Sequence, residues 1–162
     1  MCVNGFQADG IRLVKDLHYH IRMYQYQHTK TLAIQSIAQL AMTVLYKHRF
    51  FPYYTFTLLG GLDEEGRGAV FSFDPVGSFE RECYRAGGSA SALIQPFLDS
   101  QIGRKNQKVP SSSEITLEEA VKIARDAFTS AAERDIYTGD HVQIWIISHE
   151  GCRLETFALR RD

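Results

Sequence analysis

The sequence predicts an α+β fold in which two antiparallel sheets are layered between helices, a four-layer αββα sandwich. Two consecutive amphipathic helical patterns precede a meander of three strands, and two further helical patterns separate that meander from a pair of strands at the C-terminal end. The run at 142–147 is apolar almost throughout, as expected for a strand in a sheet covered on both faces. Sheets and helices in this order are typical of a layered sandwich.

The stretch at 60–92 has the clearest strand and turn pattern in the chain. The alternating run at 54–58 and the apolar run at 69–73 predict two antiparallel strands, and Gly66 suits the positive-φ position of the hairpin loop between them. Asp74, Pro75 and Gly77 occupy the first, second and fourth positions of a type I turn. That turn predicts a third strand over 79–85.

Residues 1–5 are predicted to form a strand before two helices. Asp9 is a plausible N-cap for the first helix, whose apolar positions lie three or four residues apart. The second helix is predicted to end before Pro52. The apolar positions are Ile11, Val14, Leu17, Ile21 and Tyr24 in the first helix, and Ile34, Ile37, Ala41, Val44 and Leu45 in the second.

Two more helices and a hairpin are predicted in the second half. Ser89 or Ser91 can cap a short third helix, and the region at 102–113 has the composition of a surface loop. A capping box from Thr116 to Glu119 opens a fourth helix. Its inward positions are predicted to be Ala120, Val121, Ala124, Phe128 and Ala131, and the strands at 142–148 and 153–159 form the hairpin.

Composition limits the classes of protein that the chain can belong to. A length of 162 residues, of which 44% are hydrophobic, fits a single domain over 1–162 with a real core. The net charge is −1 and the basic residues show no run, so we expect no nucleic-acid partner. No apolar run reaches the ~20 residues that cross a bilayer, so we expect no membrane partner. Cys2, Cys83 and Cys152 suit reduced thiols, and we expect a soluble intracellular protein.

A family resemblance is carried by two segments of the central stretch, GLDEEGRGAVFSFDPVGS and RAGGSASALIQPFLD, with FFPYY at 50–54 and SAAERDIYTGD at 130–140. These segments resemble the β-type subunits of the 20S proteasome core, in particular those at the noncatalytic sixth β position. The resemblance runs from Gly5 to the C-terminus. Family members begin with strands that precede the segment matching residues 1–9, so the chain is expected to be truncated at its N-terminus.

The resemblance implies the N-terminal nucleophile hydrolase fold and a set of site positions. Active members use an N-terminal threonine as nucleophile and its own amine as base. Gly5 matches the glycine whose N–H forms the oxyanion hole, and Asp135 and Thr138 match the pair that orients the nucleophile. Gly88 falls where active members place a serine. We therefore expect no catalytic residue, only vestigial family positions.

Each of these positions also has a structural interpretation. Asp135 and Thr138 lie in a helix-to-strand connection, where short polar side chains satisfy free backbone groups, and Gly5 suits a strand end. We expect no cofactor, because the glycine pair at 87 and 88 matches no phosphate-binding motif. We expect no metal, because His18 and His20 point in different directions on a helix and residues 63–65 lack the spacing of a calcium loop.

Two functions compete. The first is a noncatalytic ring subunit in the cytoplasm and nucleus, for which the resemblance implies other β subunits and α subunits of a 28-subunit core particle, assembly chaperones and a regulatory particle as partners. The aromatic residues at 50–54 are plausible interface anchors. The second is a hydrolase in which removal of Met1 exposes Cys2 as an N-terminal nucleophile. Against the hydrolase, Cys2 lies only three residues before Gly5 on the same strand.

The family's N-terminal strands are absent from this sequence, and their absence has three possible explanations. It is a real property of the protein, an incorrectly assigned gene start, or a result of the way the chain was produced. Removing strands from the middle of a sandwich exposes a sheet edge, which favours aggregation. We therefore expect that the native protein carries further residues before Met1.

Overall fold

A computed structural model describes residues 1–104, 106 and 115–161. The described chain is an α+β protein with antiparallel sheets and four helices, as the sequence predicts. The strands are β1 (Cys2–Gly5), β2 (Thr55–Leu62), β3 (Gly68–Phe73), β4 (Phe79–Glu82), β5 (His141–Ser148) and β6 (Gly151–Ala158). The helices are α1 (Gln7–His28), α2 (Ile34–Lys47), α3 (Ser91–Gln101) and α4 (Leu117–Ala132).

The chain forms two compact units, Met1–Cys83 and Tyr84–Asp162. In the first unit, β1, β2, β3 and β4 are neighbours in that order in one antiparallel sheet. The buried positions of β2 alternate along the strand, so one face of the sheet carries its core residues. Helices α1 and α2 contribute Leu13, Leu17, Ala38 and Leu45 to the same core cluster.

The turns of the first unit have the predicted chemistry. Gly66 has a φ of 76° in the loop between β2 and β3, and Gly77 has a φ of 94° in the turn before β4. The carboxylate of Asp74 accepts hydrogen bonds from the backbone N–H groups of Val76 and Ser78. These local interactions set the register in which Phe73 pairs with Phe79.

The second unit contains α3, α4 and the antiparallel pair of β5 and β6. Small side chains bring the two helices together, because Ala127 and Ala131 of α4 belong to one buried cluster with Ile94 of α3. The predicted capping box is confirmed: Thr116 and Glu119 satisfy each other's backbone N–H groups at the start of α4.

Several local predictions are wrong. Asp9 does not cap α1, which begins at Gln7; its carboxylate instead accepts from the backbone N–H of Tyr54. Neither Ser89 nor Ser91 caps α3, whose N-cap is Ala90. Strand β4 ends at Glu82 and not at residue 85, since the chain then turns to bond with α3.

The predicted inner face of α4 is partly wrong. Ala131 is buried and Val121 and Ala124 are partly buried, but Ala120 and Phe128 are exposed. Ala127 occupies the buried position next to Phe128, since a small side chain allows α3 to approach closely. Most of the loop predicted at 102–113 lies outside the described residues.

Candidate functional site

Asp135 is the centre of a polar cluster in the second unit. It follows the C-terminal end of α4, and its Oδ2 accepts hydrogen bonds from the hydroxyl of Thr138 at 2.6 Å and the hydroxyl of Ser89 at 2.7 Å. Its Oδ1 accepts from the backbone N–H of Tyr137 at 3.3 Å. The cluster therefore connects the start of α3 to the segment between α4 and β5.

The donors around Asp135 determine its charge state. The hydroxyl of Thr138, then that of Ser89, and the N–H of Tyr137 hold the pKa of the Asp135 carboxyl below its ordinary value, while partial desolvation opposes them. A general base works best when its pKa lies near the working pH. Asp135 is therefore a stable hydrogen-bond acceptor and a poor base.

Ser89 is the residue of this cluster that sequence reasoning missed. We assigned it to helix capping and expected Gly88 to remove the hydroxyl that active family members carry. Gly88 has a φ of 96° and forms a turn whose carbonyl accepts from the N–H of Ser91, and that turn directs the next side chain, Ser89, toward Asp135. A hydroxyl therefore lies beside the carboxylate of Asp135, one residue after the position at which active family members place a serine. Sequence spacing could not show this contact, because Ser89 and Asp135 are far apart in the chain.

Gly5 lies in the first unit, whereas the Asp135 cluster belongs to the second. It ends β1 with a φ of 107°, and a Cβ added to it would lie 2.5 Å from the carbonyl oxygen of Tyr54. The next residue, Phe6, donates its backbone N–H to that same oxygen at 2.9 Å. Steric constraints of the backbone therefore require glycine at this position, independently of any catalytic role.

Cys2 is an exposed residue of β1 that pairs with Leu58 of β2. Three residues of extended strand separate Cys2 from Gly5 by about 10 Å, and residues an odd number apart point to opposite faces. The N–H of Gly5 is therefore poorly placed to stabilise an oxyanion formed at the sulfur of Cys2.

The described residues contain no group of three or more His, Cys, Asp or Glu side chains that could hold a metal ion. His18 and His20 lie on α1, where His20 bonds the backbone carbonyl of Asp16 through its Nδ1. In the part of the chain that the structure describes, no helix is long and apolar enough to span a membrane.

Two cavities are found among the described residues. One of about 490 Å³ is in the second unit at the turn between β5 and β6, where Leu117, His149 and Cys152 contribute to its lining. Another of about 370 Å³ is in the first unit between β1 and α1, lined in part by Val3 and Ile11. Neither cavity is lined by Gly5, Gly88, Asp135 or Thr138.

Comparison with known proteins identifies the family. A family model described as "Proteasome subunit" matches residues 1–147. The chain is 50% identical to proteasome subunit beta type-1 of Danio rerio over 98% of this chain and 67% of the relative. It is 48% identical to proteasome subunit beta type-6 of Saccharomyces cerevisiae over 100% of this chain and 71% of the relative.

A plant relative gives the same result. Proteasome subunit beta type-1 of Arabidopsis thaliana is 47% identical over 98% of this chain and 73% of the relative. The resemblance inferred from the central stretch is thereby confirmed, and the family implies the N-terminal nucleophile hydrolase fold. The chain belongs to the proteasome subunit family, within the group of β subunits named beta type-1 in animals and plants and beta type-6 in yeasts.

Proposed function

We propose that the chain is a noncatalytic structural subunit of the β ring of the 20S proteasome core, and that it supports ATP- and ubiquitin-dependent protein degradation by the assembled particle. Its 162 residues form one β-type domain of the four-layer αββα kind. Gly5, Gly88, Asp135 and Thr138 are vestigial family positions in this proposal, and the subunit uses neither a metal nor a cofactor.

The hydrogen bonds of Asp135 support the proposal that the subunit is noncatalytic. The hydroxyls of Ser89 and Thr138 both donate to this one carboxylate. No described lysine, histidine or cysteine side chain has a hydrogen bond to either hydroxyl, so neither has a partner that could remove its proton. The lowered pKa of Asp135 makes it a weak proton acceptor. The cluster can hold two chain segments together, but it lacks an activated nucleophile.

The alternative is hydrolysis by Cys2 as an N-terminal nucleophile after removal of Met1. The exposed thiol favours this alternative because a substrate could reach it. The geometry of β1 disfavours it, because Gly5 lies about 10 Å along the strand and faces the other way. The ring-subunit proposal therefore accounts better for the arrangement of β1.

Exposed aromatic residues support assembly with other subunits. Phe50 is 98% exposed and Phe51 is 88% exposed, and Tyr54 is exposed nearby. Aromatic residues are enriched among interface anchors, and clustered exposed ones mark interaction sites. We propose that other β subunits, α subunits, assembly chaperones and the regulatory particle are the partners, within a 28-subunit core particle in the cytoplasm and nucleus.

The proposal is tested on the native particle purified from cells that produce this chain. The particle is treated with an electrophile that modifies N-terminal threonine or cysteine nucleophiles, and the intact mass of each subunit is measured. We expect adducts on catalytic relatives in the same particle and an unchanged mass for this chain. The intact mass of the endogenous subunit also reports whether residues precede Met1.

The catalytic relatives provide the positive control within each sample. The proposal that the subunit is noncatalytic would be refuted if the electrophile modified the N-terminus of this chain and a peptide substrate prevented that modification. Such a result would favour the hydrolase alternative. If the native protein sedimented as a stable monomer without other β subunits, the ring role would be rejected.

A further inference from the structure

The cavity at the turn between β5 and β6 is lined by apolar side chains from two elements. Ile146 of β5 is buried, whereas Leu117, the first residue of α4, is 49% exposed. Pockets that hold small molecules have volumes of ~300–1,000 Å³ and are lined mostly by apolar groups with a few polar ones. At about 490 Å³, this cavity has the size of such a pocket.

Arg153 of β6 lies on the same face of the hairpin as Ile146. The two residues are paired directly across the strands, and directly paired residues of an antiparallel pair project to one face. Glu155 follows two positions later on that face, and its carboxylate contacts Arg125 of α4 at 3.5 Å. The face that carries Arg153 is therefore the face turned toward α4, the helix to which Leu117 belongs.

The guanidinium of Arg153 shares its carboxylate partner with a second arginine. The Nη2 of Arg153 lies 3.4 Å from the Oε1 of Glu155, and the Nη2 of Arg125 lies 3.5 Å from the Oε2 of the same residue. Two positive charges and one negative charge leave this group with a positive charge in excess. The side chain of Arg153 is 62% exposed, and exposed ion pairs contribute little free energy. Arg153 can therefore turn toward a ligand anion at small cost.

The polar groups of the turn restrict the charge of the ligand. The hydroxyl of Ser148 accepts from the N–H of Glu150 at 3.3 Å and donates to the carbonyl of Gly151 at 3.4 Å, so the turn itself uses this hydroxyl. Glu150 also lines the cavity, and its carboxylate repels a second negative charge on a ligand. His149 lines the cavity as well and offers a ring N–H donor. The cavity therefore suits a ligand with a single negative charge.

We propose that this cavity binds a small amphipathic monoanion, a carboxylate with an aromatic or aliphatic body. The carboxylate pairs with the guanidinium of Arg153, and the body lies against Leu117 and Ile146. Pairs of arginine and carboxylate are charge-assisted and directional, so the guanidinium orients the ligand while the two apolar side chains bind its body. Every residue that takes part belongs to the second unit.

A series of three matched probes tests the proposal on the full chain. The probes are 4-phenylbutyrate, the neutral 4-phenylbutyramide and the cationic 4-phenylbutylamine, which share one apolar body and differ in charge. NMR follows binding through the methyl signals of Ile146, and the methyl signals of Ile94 in the cluster of α3 and α4 are the control. For 4-phenylbutyrate we expect a dissociation constant on the order of 1 mM. The amide should bind about fivefold more weakly, and the amine more weakly still.

Two pairs of variants test the groups separately. Arg153→Gln should abolish the preference for the carboxylate over the amide, whereas Arg134→Gln, the same change at an exposed residue of the second unit, should preserve it. Leu117→Ser should weaken the binding of 4-phenylbutyrate about fivefold. Leu93→Ser is the matched control, since Leu93 is a helical leucine with 47% exposure that does not line the cavity. Circular dichroism melting verifies that each variant folds.

Several outcomes would overturn the proposal. Equal affinities for the three probes, no saturable shift of the Ile146 methyl signals, or equal responses of Arg153→Gln and Arg134→Gln would each exclude the site. Shifts of the Ile94 signals as large as those of Ile146 would exclude it too, because they would show nonspecific binding. The probe series uses the wild-type chain, so it decides the question even where a substitution unfolds the protein.

Binding at this cavity is independent of the ring role and of catalysis. A chain that assembles into the native particle but binds no carboxylate would keep the ring role and lose this site. A chain that binds 4-phenylbutyrate as expected but sediments as a stable monomer would keep the site and lose the ring role.

Discussion

Arg81 donates a hydrogen bond from its Nη2 to the Oδ2 of Asp63 at 2.8 Å, and this contact fastens β4 to the loop between β2 and β3. The side chain of Asp63 has no exposed surface. Its Oδ1 accepts from the backbone N–H groups of Glu65 and Arg67. The hydrogen bond from Arg81 is the main reason that the pKa of Asp63 is lowered to about 2, and the backbone bond from Arg67 adds to it against desolvation.

The stability of the first unit is therefore expected to depend on pH through Asp63. Its folded pKa of about 2 lies below the ordinary value of 3.8. The stabilisation is fully present above about pH 4 and is lost as the pH falls toward 2. Urea unfolding of the wild type and of Asp63→Asn between neutral and acidic pH should show a smaller difference between the two as the pH falls.

The matched control for that experiment is Glu150→Gln, an exposed side chain in the turn between β5 and β6. It should follow the wild type at every pH. A constant difference between Asp63→Asn and the wild type down to about pH 2 would contradict the assignment of the acid dependence to Asp63.

The hairpin around Asp63 shows which part of the fold the sequence could predict. Gly66, the turn at 74–77 and the capping box of Thr116 and Glu119 involve residues within five positions of each other, and all three are confirmed. Interactions of this range are recorded in local spacing, so pattern reasoning finds them. The strand predicted from the alternation of β2 and the apolar stripe of α2 are likewise periodic features, and both are confirmed. The buried residues of β2 are Thr55, Thr57 and Leu59, however, while the aromatic residue Phe56 is exposed.

Contacts between distant residues could not be predicted in this way. Asp9 bonds the backbone of Tyr54, 45 positions away, and Ser89 bonds Asp135, 46 positions away. Each residue type is also a good helix cap, so local rules assigned both to capping. Sequence reasoning named Asp135 and Thr138, which are hydrogen-bonded to each other, but it missed the second hydroxyl donor, Ser89. The site role of Asp135 and Thr138 stays a prediction.

Thr57 of β2 is a buried residue whose hydroxyl oxygen has no hydrogen-bond partner among the described residues. Burying an unpaired hydroxyl costs free energy, and valine has the same shape without the polar atom. We expect Thr57→Val to raise the free energy of unfolding by about 1 kcal/mol. Urea unfolding of the purified chain measures the change.

The control is Thr156→Val on β6, where the side chain is exposed and removal of the hydroxyl relieves no burial cost. It should change the free energy of unfolding by less than about 0.5 kcal/mol. A loss of stability in Thr57→Val would show that the hydroxyl has a partner in solution.

Gly5 is expected to be required by the backbone. In Gly5→Ala the new methyl group would lie 2.5 Å from the carbonyl oxygen of Tyr54, and alanine disfavours a φ of 107°. We expect a loss of about 1–3 kcal/mol in the free energy of unfolding. Gly68→Ala is the matched control, since its added Cβ meets no atom within 4 Å, and it should fold as stably as the wild type. Equal stability of the two variants would contradict the structural role of Gly5.

The last prediction concerns Asp135, and it separates a structural cluster from a catalytic one. Because Thr138 is the largest contributor to the lowered pKa of Asp135, Thr138→Ala should raise that pKa more than Ser89→Ala does. Carboxyl titration by NMR measures both shifts. Asp126→Asn on α4 is the control, since the Asp126 side chain is exposed and has no ion pair with a described residue.

The same cluster determines what Asp135→Asn should do. The folded pKa is lowered, so the cluster stabilises the protein above the ordinary carboxyl range and loses that contribution as the pH falls. Asp135→Asn should therefore lower stability at neutral pH more than Asp126→Asn does. The proposed noncatalytic role predicts that peptide hydrolysis per assembled particle stays unchanged, because a carboxylate that activates no nucleophile contributes nothing to turnover. A particle that assembles normally with this variant but hydrolyses peptides more slowly would show that Asp135 takes part in catalysis.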